Sequence, residues 1–375
     1  MPSYSGVWTL QAQMQAVAAG TWTGFPFLYA WGPNGNGVLG LGDTVNRSSP
    51  VQVAGQNWSQ IAGGTSFNLA VKTDGTLWSW GQNNYGKLGL NDTANRSSPV
   101  QVGALTAWSQ VAAGGRFSLA TKTDGTLWSW GQNYFGQLGT NNVTDISSPV
   151  QVGALTAWSK VAAGYTSSVA IKTDGTMWSW GRNYRGQLGL NDTAERSSPT
   201  QVGALTTWSQ VAAGNRHCVA VKTDGTLWSW GYNSIGALGL NDTANRSSPV
   251  QVGALTTWSK IAAGSSHSLA IKTDGTLWGW GVNNAGQLGL GDIVNRSSPV
   301  QVGGLTTWYQ VTAGTNHSLS IKADGTLWGW GYNGQGQLGI GNVVYRSSPV
   351  QIGLLTTWLT LSKMPMSNSS LAIKG

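Results

Sequence analysis

The hydrophobic and polar positions of this chain form a pattern that recurs about every fifty residues. In the copy that begins at Trp258, four short stretches follow one another: WSKIAAG, SHSLAIK, TLWGWG and SSPVQVG. The second stretch alternates apolar with polar residues, and none of the four has the 3.6-residue period of a helix. Each copy therefore predicts four β-strands and no helix.

Turn signals separate the predicted strands. Asp274-Gly275 lies between the second and third strands, and this dipeptide favours a two-residue type I′ hairpin, which requires positive φ at both positions. Pro299 is predicted at the start of the fourth strand, because a strand at the edge of a sheet tolerates its missing N–H.

Four-stranded units of this length in tandem predict a β-propeller. The Trp-Gly pair of the third strand counts seven blades, at Trp31, Trp80, Trp130, Trp180, Trp230, Trp280 and Trp330. The chain begins its repeats with FLYAWG and PVQV, the last two strands of a blade, and finishes with WLTLS and SSLAIK, the first two. The fold class is therefore all-β: a seven-bladed β-propeller of four-stranded blades over residues 27–375. One blade is shared between the N- and C-termini, and residues 1–26 form a separate N-terminal segment.

The most regular part of the repeat is KTDGTLWSWG, which occupies Lys72–Gly81 and returns with little change in five later copies. Each blade of a propeller packs both faces against neighbours, so a strand with two tryptophans has a packing group on either side. A buried Trp covers roughly 200 Å², which corresponds to an upper bound of about 5 kcal/mol. The repeated segment is therefore interpreted as scaffold.

Composition and charge narrow the function classes. The chain has 54 Gly and 22 Trp, only 9% charged residues and a net charge of +8. Its basic residues recur with the repeat instead of forming a run, so no nucleic-acid partner is expected. No secretory signal and no apolar run long enough to cross a membrane is present, so no membrane insertion is expected.

The acidic residues do not form a candidate catalytic site. Twelve of the thirteen acids are aspartates, which occupy either the TDG turn or the loop before RSSP, where Asp145 is shifted within its loop. The remaining acid is Glu195. General acid–base chemistry needs two carboxyls in different environments, and these positions are nearly equivalent around a ring. The chain is therefore predicted not to be an enzyme.

No cofactor or metal site is predicted either. His217, His267 and His317 fill one position in consecutive blades, where other copies have Phe or Ser, so a packing or loop-bonding role is expected. The loop GLNDTANRSS has oxygen ligands but lacks the spacing of a calcium loop. Cys218, the single cysteine, replaces Ser or Asn and is expected to be a small buried side chain.

The copies differ at two positions: the pair of residues after AAG, and the residues around the Asn that follows Trp-Gly. Both lie on the connections between strands 1 and 2 and between strands 3 and 4, which meet at one end of an antiparallel blade; we call this end the variable face. The TDG turn and the GALTTW connection form the opposite, uniform face. The candidate ligand residues on the variable face are Tyr85, Arg116, Tyr134, Phe135, Tyr165, Arg182, Tyr184, Arg185, Arg216 and Tyr232.

Two explanations account for this variation. Tyr, Arg, Asn and Ser are typical of adaptable binding surfaces, which favours a ligand site. Exposed loops also vary when nothing constrains them. Binding is the preferred explanation, because the TDG and GALTTW loops are exposed as well and hardly vary.

The segments VAAGNRHCVAV (211–221), IAAGSSHSLAI (261–271) and VTAGTNHSLSI (311–321), together with WGxNxxGxLG, resemble the regulator of chromosome condensation repeat. The resemblance covers about residues 27–375 and implies a seven-bladed propeller. The best-known member of that family is a nucleotide-exchange factor for a small nuclear GTPase and binds chromatin, whereas other members are binding modules, including a secreted inhibitor of β-lactamases. This chain has neither a basic N-terminal tail nor a unique loop insertion, so exchange activity is not expected.

Residues 1–26 contain GVWTLQAQMQAVAAGTWTG, which resembles N-terminal segments of virion proteins from tailed phages. Leu10, Met14 and Val17 fall on one face of a short helix that would begin near Thr9. The segment is either a cap under the propeller or a docking peptide that uses Trp8, Leu10, Met14 and Val17. Since Phe27 begins a third strand, the segment is expected to leave from the uniform face.

These observations together predict a non-enzymatic binding or structural propeller on a phage particle, as a tail-fibre, decoration or host-attachment protein. Its predicted partners are other virion proteins through residues 1–26, and a host surface protein or glycan through the variable face. The alternative is a bacterial protein-interaction module of the same repeat family without a virion, in the cytoplasm or outside the cell.

Overall fold

A computed structural model of the protein describes residues 25–375. These residues form seven four-stranded antiparallel sheets, which confirms the predicted propeller. The shared blade consists of β1 Phe27–Gly32, β2 Arg47–Gln52, β27 Trp358–Leu361 and β28 Ser370–Lys374.

The six continuous blades each use four successive strands. In chain order they are β3 Trp58–Gly64, β4 Phe67–Lys72, β5 Leu77–Gly81 and β6 Arg96–Gln101; β7 Trp108–Ala113, β8 Phe117–Lys122, β9 Leu127–Gly131 and β10 Ile146–Gln151; β11 Trp158–Ala163, β12 Ser167–Lys172, β13 Met177–Gly181 and β14 Arg196–Gln201; β15 Trp208–Ala213, β16 His217–Lys222, β17 Leu227–Gly231 and β18 Arg246–Gln251; β19 Trp258–Ala263, β20 His267–Lys272, β21 Leu277–Gly281 and β22 Arg296–Gln301; β23 Trp308–Ala313, β24 His317–Lys322, β25 Leu327–Gly331 and β26 Arg346–Gln351. Within residues 25–375 the helical content is one 3₁₀ turn, Asn84–Gly86, and no helix there is long and apolar enough to span a membrane.

The shared blade joins the two ends of the repeat region directly. Strand β1 lies between β2 and β28, and it pairs with β28 from Phe27–Lys374 to Trp31–Ser370. This pairing is equivalent to the hairpin between the second and third strands of every other blade. The first described residues therefore lie at the uniform face, where the carbonyl of Pro26 accepts a hydrogen bond from the N–H of Trp58 at 3.3 Å.

The hairpin at Asp274-Gly275 differs from the predicted two-residue type I′ turn. The Lys272 carbonyl accepts a bond from Gly275 N–H, and Lys272 N–H donates to the Thr276 carbonyl, so three residues form the loop. Only Gly275 has positive φ, at 77°. Asp274 instead accepts bonds from both the N–H and the hydroxyl of Thr276, and these bonds stabilise a turn with one left-handed residue at its end.

Pro299 also lies elsewhere than predicted. Strand β22 begins at Arg296, so the proline is within the strand and not at its start. The pairing with β21 shifts between Gly281–Arg296 and Gly279–Val300, which leaves Pro299 in an irregular stretch of the outer strand. An edge strand with such an irregularity does not need the N–H that proline lacks.

The third-strand tryptophans connect neighbouring blades. Trp280 is fully buried, and its indole N–H donates to the carbonyl of Ala237 in the preceding blade at 2.9 Å. The same bond is made by Trp31, Trp80, Trp130, Trp180, Trp230 and Trp330. Trp258 packs edge-on against both Trp278 and Trp280, and Lys272 places its amine 3.7 Å from the centre of the Trp278 ring. The repeated segment is therefore packing between and within blades.

The first strand of the shared blade is shorter than its equivalents. Strand β27 ends at Leu361, and the following residues pass close to the next blade, where Lys363 bridges to Ala62 and its carbonyl accepts a bond from Gly63 N–H at 2.8 Å. In sequence, the segment that contains Met364-Pro365-Met366 is two residues longer than the equivalent connection of the other blades, and this length accounts for its different path. The seven first strands together surround an axial channel of about 310 Å³.

Candidate ligand-binding face

The variable face is built on rigid loops. In blade β11–β14, the side chain of Asn183 accepts a bond from Leu188 N–H and donates to both the carboxylate and the carbonyl of Asp192. Asp192 also forms an ion pair with Arg196. The loop is therefore held by its buried asparagine, and the residues on either side of that asparagine are free to differ between blades without changing the frame.

Six of the predicted residues meet in one cluster across three blades. The guanidinium of Arg182 lies 4.2 Å from the centres of both the Phe135 and Tyr184 rings. Arg185 and Arg216 each lie over the rings of Tyr184 and Tyr232, at 5.1 to 5.9 Å. We call the set Phe135, Arg182, Tyr184, Arg185, Arg216 and Tyr232 the aromatic–arginine cluster. Stacking of this kind holds each guanidinium in place and leaves its outer N–H groups for other contacts.

The remaining predicted residues lie beside this cluster or one blade away. Tyr134 is 71% exposed and packs edge-on against Phe135, with ring centres 4.8 Å apart. Arg116 donates to the hydroxyl of Tyr85 at 3.2 Å, a contact between adjacent blades. Tyr165 lies on the strand 1–2 connection of its blade, and its carbonyl accepts a bond from Gly115 N–H in the blade before.

Charge on this face is unbalanced. Five arginines pair with an aspartate four residues earlier: Arg47, Arg96, Arg196, Arg246 and Arg296. Among residues 25–375, no such ion pair involves Arg116, Arg182, Arg185 or Arg216. Four cations without an ion pair therefore lie against half-buried rings and beside the exposed Tyr85 and Tyr134, so positive charge exceeds negative charge in this part of the variable face.

The aspartates elsewhere are used by their own loops. In the TDG turn, hydrogen bonds from the side chain and then the backbone of Thr276 hold the pKa of Asp274 below its ordinary value. In the loop before RSSP, the hydrogen bond from Val294 N–H lowers the pKa of Asp292. Desolvation opposes this effect, and the nearby Arg296 adds to it. Asp145 accepts a bond from Asn133 N–H at 2.7 Å, the role that an asparagine has in other blades, which explains its shifted position.

The histidines bond between blades. His217 contacts the hydroxyl of Ser268 at 2.9 Å, His267 that of Ser318 at 3.1 Å, and His317 that of Ser370 at 2.9 Å. Burial lowers the pKa of His217 and His317 to about 4 and that of His267 to about 3. Their role is bonding within the packed interior, and the partner is the second strand of the next blade, not a loop. Residues 25–375 contain no group of three or more His, Cys, Asp or Glu side chains that could hold a metal ion.

Two features of this region were missed by sequence reasoning. Tyr332 and Tyr345 pack together with ring centres 4.6 Å apart, although only Tyr332 occupies one of the two variable positions. Lys87 replaces a glutamine found in four other blades and is fully buried, and comparison of the copies could have identified it. The predicted docking residues Trp8, Leu10, Met14 and Val17 lie outside the described residues.

The sequence of this propeller matches the model of a known family. The family model described as RCC1-like domain matches residues 11–256 and 108–364. The chain belongs to the RCC1-like domain family. No curated protein matches it in sequence.

Several solved structures share the RCC1-like propeller. The chain is similar to human WBSCR16, with a TM-score of 0.83, 22% identity and coverage of 93% of this chain and 98% of that one. It is also similar to yeast RCC1 (Prp20) bound to Kap60, with a TM-score of 0.84, 22% identity and coverage of 93% and 89%. A third match is Prp20p from Saccharomyces cerevisiae, a protein with binding properties to Gsp1p and histones. Its TM-score is 0.83, its identity is 22%, and the match covers 94% of this chain and 92% of that one. At this level of identity the RCC1-like structures establish the fold.

Proposed function

We propose that this protein is a non-enzymatic binding propeller that recognises a partner through its variable face. The observation that supports this most directly is the aromatic–arginine cluster, where Arg182, Arg185 and Arg216 stack on rings and have no carboxylate partner. Tyr and Arg dominate the energetics of protein interfaces, and rings that hold a guanidinium in place reduce the entropy lost on binding.

The propeller itself favours binding over catalysis. The aspartates stabilise turns, the histidines bond to serines between blades, and the loops of the variable face differ while their frame stays the same. Similar RCC1-like structures include one solved with a protein partner, Kap60. A rigid frame with variable side chains on one face is suited to recognition of a protein or glycan surface.

We further propose that the propeller is carried on a phage particle, with residues 1–26 bound to other virion proteins and the variable face directed to a host protein or glycan. The support is the resemblance of the N-terminal segment and the position of Pro26 at the uniform face, opposite the variable loops. The second candidate is a bacterial protein-interaction module outside any virion, which the RCC1-like family membership fits equally well.

A loop replacement tests the binding face. Blade β19–β22 has Val282, Asn284 and Ala285 where blade β11–β14 has Arg182, Tyr184 and Arg185, on the same asparagine-held frame. The triple variant Arg182→Val, Tyr184→Asn and Arg185→Ala therefore keeps the asparagine-held frame of the loop, and its melting temperature is expected to change little. Loss of three central contacts is expected to weaken binding of the labelled protein to host cells by about tenfold or more.

The control is Tyr309→Ser, which removes an exposed tyrosine near the uniform face and installs the serine of the equivalent Ser259. It is expected to bind as the wild type does. Equal binding by the triple variant and the wild type would contradict the proposed face.

The proposed location of the protein on a phage particle is tested separately, by mass spectrometry of purified phage. Peptides of this protein at a fixed ratio to the other structural proteins are expected. Recovery of the protein only from the bacterial cell or the medium would instead favour the protein-interaction module.

A further inference from the structure

The axial channel departs from the symmetry of the blades. Alanine is the commonest residue of its wall, because the fifth and sixth positions of the first strand are alanines in most blades, as in Ala112-Ala113, Ala162-Ala163 and Ala212-Ala213. In the shared blade β27 ends at the fourth position, Leu361, and counting two residues further along the chain gives Lys363, which also lines the channel. One lysine therefore stands where every other blade has alanine or glycine.

Two further lysines lie nearer the uniform face, at the third position of the first strand of their blades. The third position of the first strand is glutamine in four blades, Gln60, Gln110, Gln210 and Gln310, and lysine in two, Lys160 and Lys260. Both of these lysines are exposed, and Lys260 lines the channel. Two glutamines of this ring are engaged with the wall, since Gln210 donates to Ser259 O and Gln310 to Leu359 O.

No negative charge compensates these lysines. The residues that line the channel include no aspartate or glutamate. None of the ion pairs within residues 25–375 involves Lys160, Lys260 or Lys363. Water reaches the side chain of Lys363, yet the channel walls enclose it; this enclosure, and then the charge of Lys160, lower its pKa to about 8. The amine is thus a cation held without a partner in a confined space.

We infer that the axial channel binds a compact multivalent anion, with phosphate or carboxylate groups that contact Lys363 in the channel and Lys160 and Lys260 towards its mouth. The volume of about 310 Å³ is at the lower end for small-molecule pockets, which limits the ligand to a few anionic groups. The alanines of the wall leave room for such a ligand, and its negative charge would balance the lysines, which no carboxylate of the channel wall does. The site lies on the axis, apart from the variable face, and is independent of the proposed partner.

Isothermal titration calorimetry at low ionic strength tests this inference with two probes, tripolyphosphate and citrate. The wild type is expected to bind at least one of them with a single site, and comparison of the two distinguishes a phosphate from a carboxylate ligand. Lys363→Ala removes the central charge and installs the residue that five other blades have at this point of the sequence, so it is expected to fold as the wild type does. Loss of one charged hydrogen bond corresponds to about tenfold weaker binding. Lys160→Gln and Lys260→Gln, each of which installs the residue of Gln210, are expected to weaken binding less.

Arg346→Gln is the matched control. It removes one positive charge from an outer strand, where Asn342 replaces the usual aspartate, and it is expected to bind both probes as the wild type does. If Arg346→Gln weakens binding as much as Lys363→Ala, the anion associates with general surface charge and the inference is wrong. It is also wrong if the wild type binds neither probe, whatever the result of the loop replacement on the variable face.

Discussion

Lys87 is a buried lysine whose amine contacts only neutral groups. It donates to the Thr65 carbonyl at 3.1 Å and to the Gln82 side chain at 3.0 Å, and it lies over the ring of Phe67. Burial, and then the charge of Arg116, lower its pKa to about 7. Four other blades have glutamine at this position: Gln137, Gln187, Gln287 and Gln337.

Lys87→Gln is therefore expected to stabilise the protein. In the wild type the folded-state pKa is near 7 and the unfolded value is 10.5, so the cost of enclosing the charge is full below pH 7 and disappears towards pH 10. Wild-type stability should thus rise with pH across this range. Each unit of pKa corresponds to about 1.4 kcal/mol, so the full shift sets an upper bound of about 5 kcal/mol, which relaxation around the buried amine reduces. The variant should therefore be more stable by about 1 to 3 kcal/mol at pH 7 and by less than about 1 kcal/mol at pH 10.

Urea unfolding at several pH values measures this difference. A constant difference between the two proteins from pH 7 to 10 would show that Lys87 does not titrate in this interval.

For single residues, the sequence predicted a role where other copies of the repeat have a different residue at the same position. Phe67 and Phe117 occupy the histidine position, and this indicated packing for His217. The contact between Arg216 and Tyr184 was not predictable, because it joins side chains of different blades and depends on their relative rotation. Tyr345 was missed for a different reason: it packs on Tyr332 within one loop but lies outside the two variable positions.

At the scale of the strand, the two tryptophans of β21 have different tasks. Trp280 is fully buried and bonds to the preceding blade, whereas the indole of Trp278 donates to the Thr276 hydroxyl within its own hairpin. Gly239 has φ of 71°, and a Cβ there would lie 2.9 Å from the Trp280 indole nitrogen, so the preceding loop is fitted to this ring. The same strand thus stabilises its own turn and the junction between blades.

Trp280→Phe is expected to lower the free energy of unfolding by about 2 to 4 kcal/mol, since it loses buried volume and a bond between blades. Trp278→Phe is the control, and its cost should be clearly smaller because the ring is only partly buried. Chemical denaturation compares the two. Equal losses would mean that the junction between these blades does not depend on the indole.

The hairpin of this strand shows the limit of prediction from dipeptides. Asp-Gly between two strands fits loops of two or three residues, and the sequence favoured the shorter one. The choice is made by Thr276, whose N–H and hydroxyl both bond to Asp274. The preference for a three-residue loop can therefore be predicted only from the tripeptide Asp-Gly-Thr, and not from Asp-Gly alone.

At the scale of the molecule, the ring closes through the pairing of β1 with β28. Deletion of residues 356–375 removes β27 and β28 and leaves half a blade, with the faces of both neighbouring blades uncovered. The truncated protein is expected to lose its cooperative unfolding transition, which calorimetry would detect. A transition at the wild-type temperature would show that the ring does not depend on the shared blade.

The number of blades and their closure could be predicted because every blade repeats the same hydrophobic pattern and the two ends are complementary. The charge of the axial channel could not be predicted, because it depends on which of the seven blades carries a lysine near the axis and on where that lysine points. The altered segment at Met364 indicated a changed loop, but the placement of Lys363 in the channel follows from the ring geometry.

The pairing of β1 with β28 has a practical consequence for engineering. Phe27 faces Lys374 across one sheet, at the position that a three-residue turn spans in every other blade. A linker of similar length could therefore join these ends, and the chain could be reopened at any TDG turn to give a circular permutant. Any cargo or immobilisation tag fused at such an opening would emerge on the same side of the disc, so the loops opposite would remain accessible to an analyte.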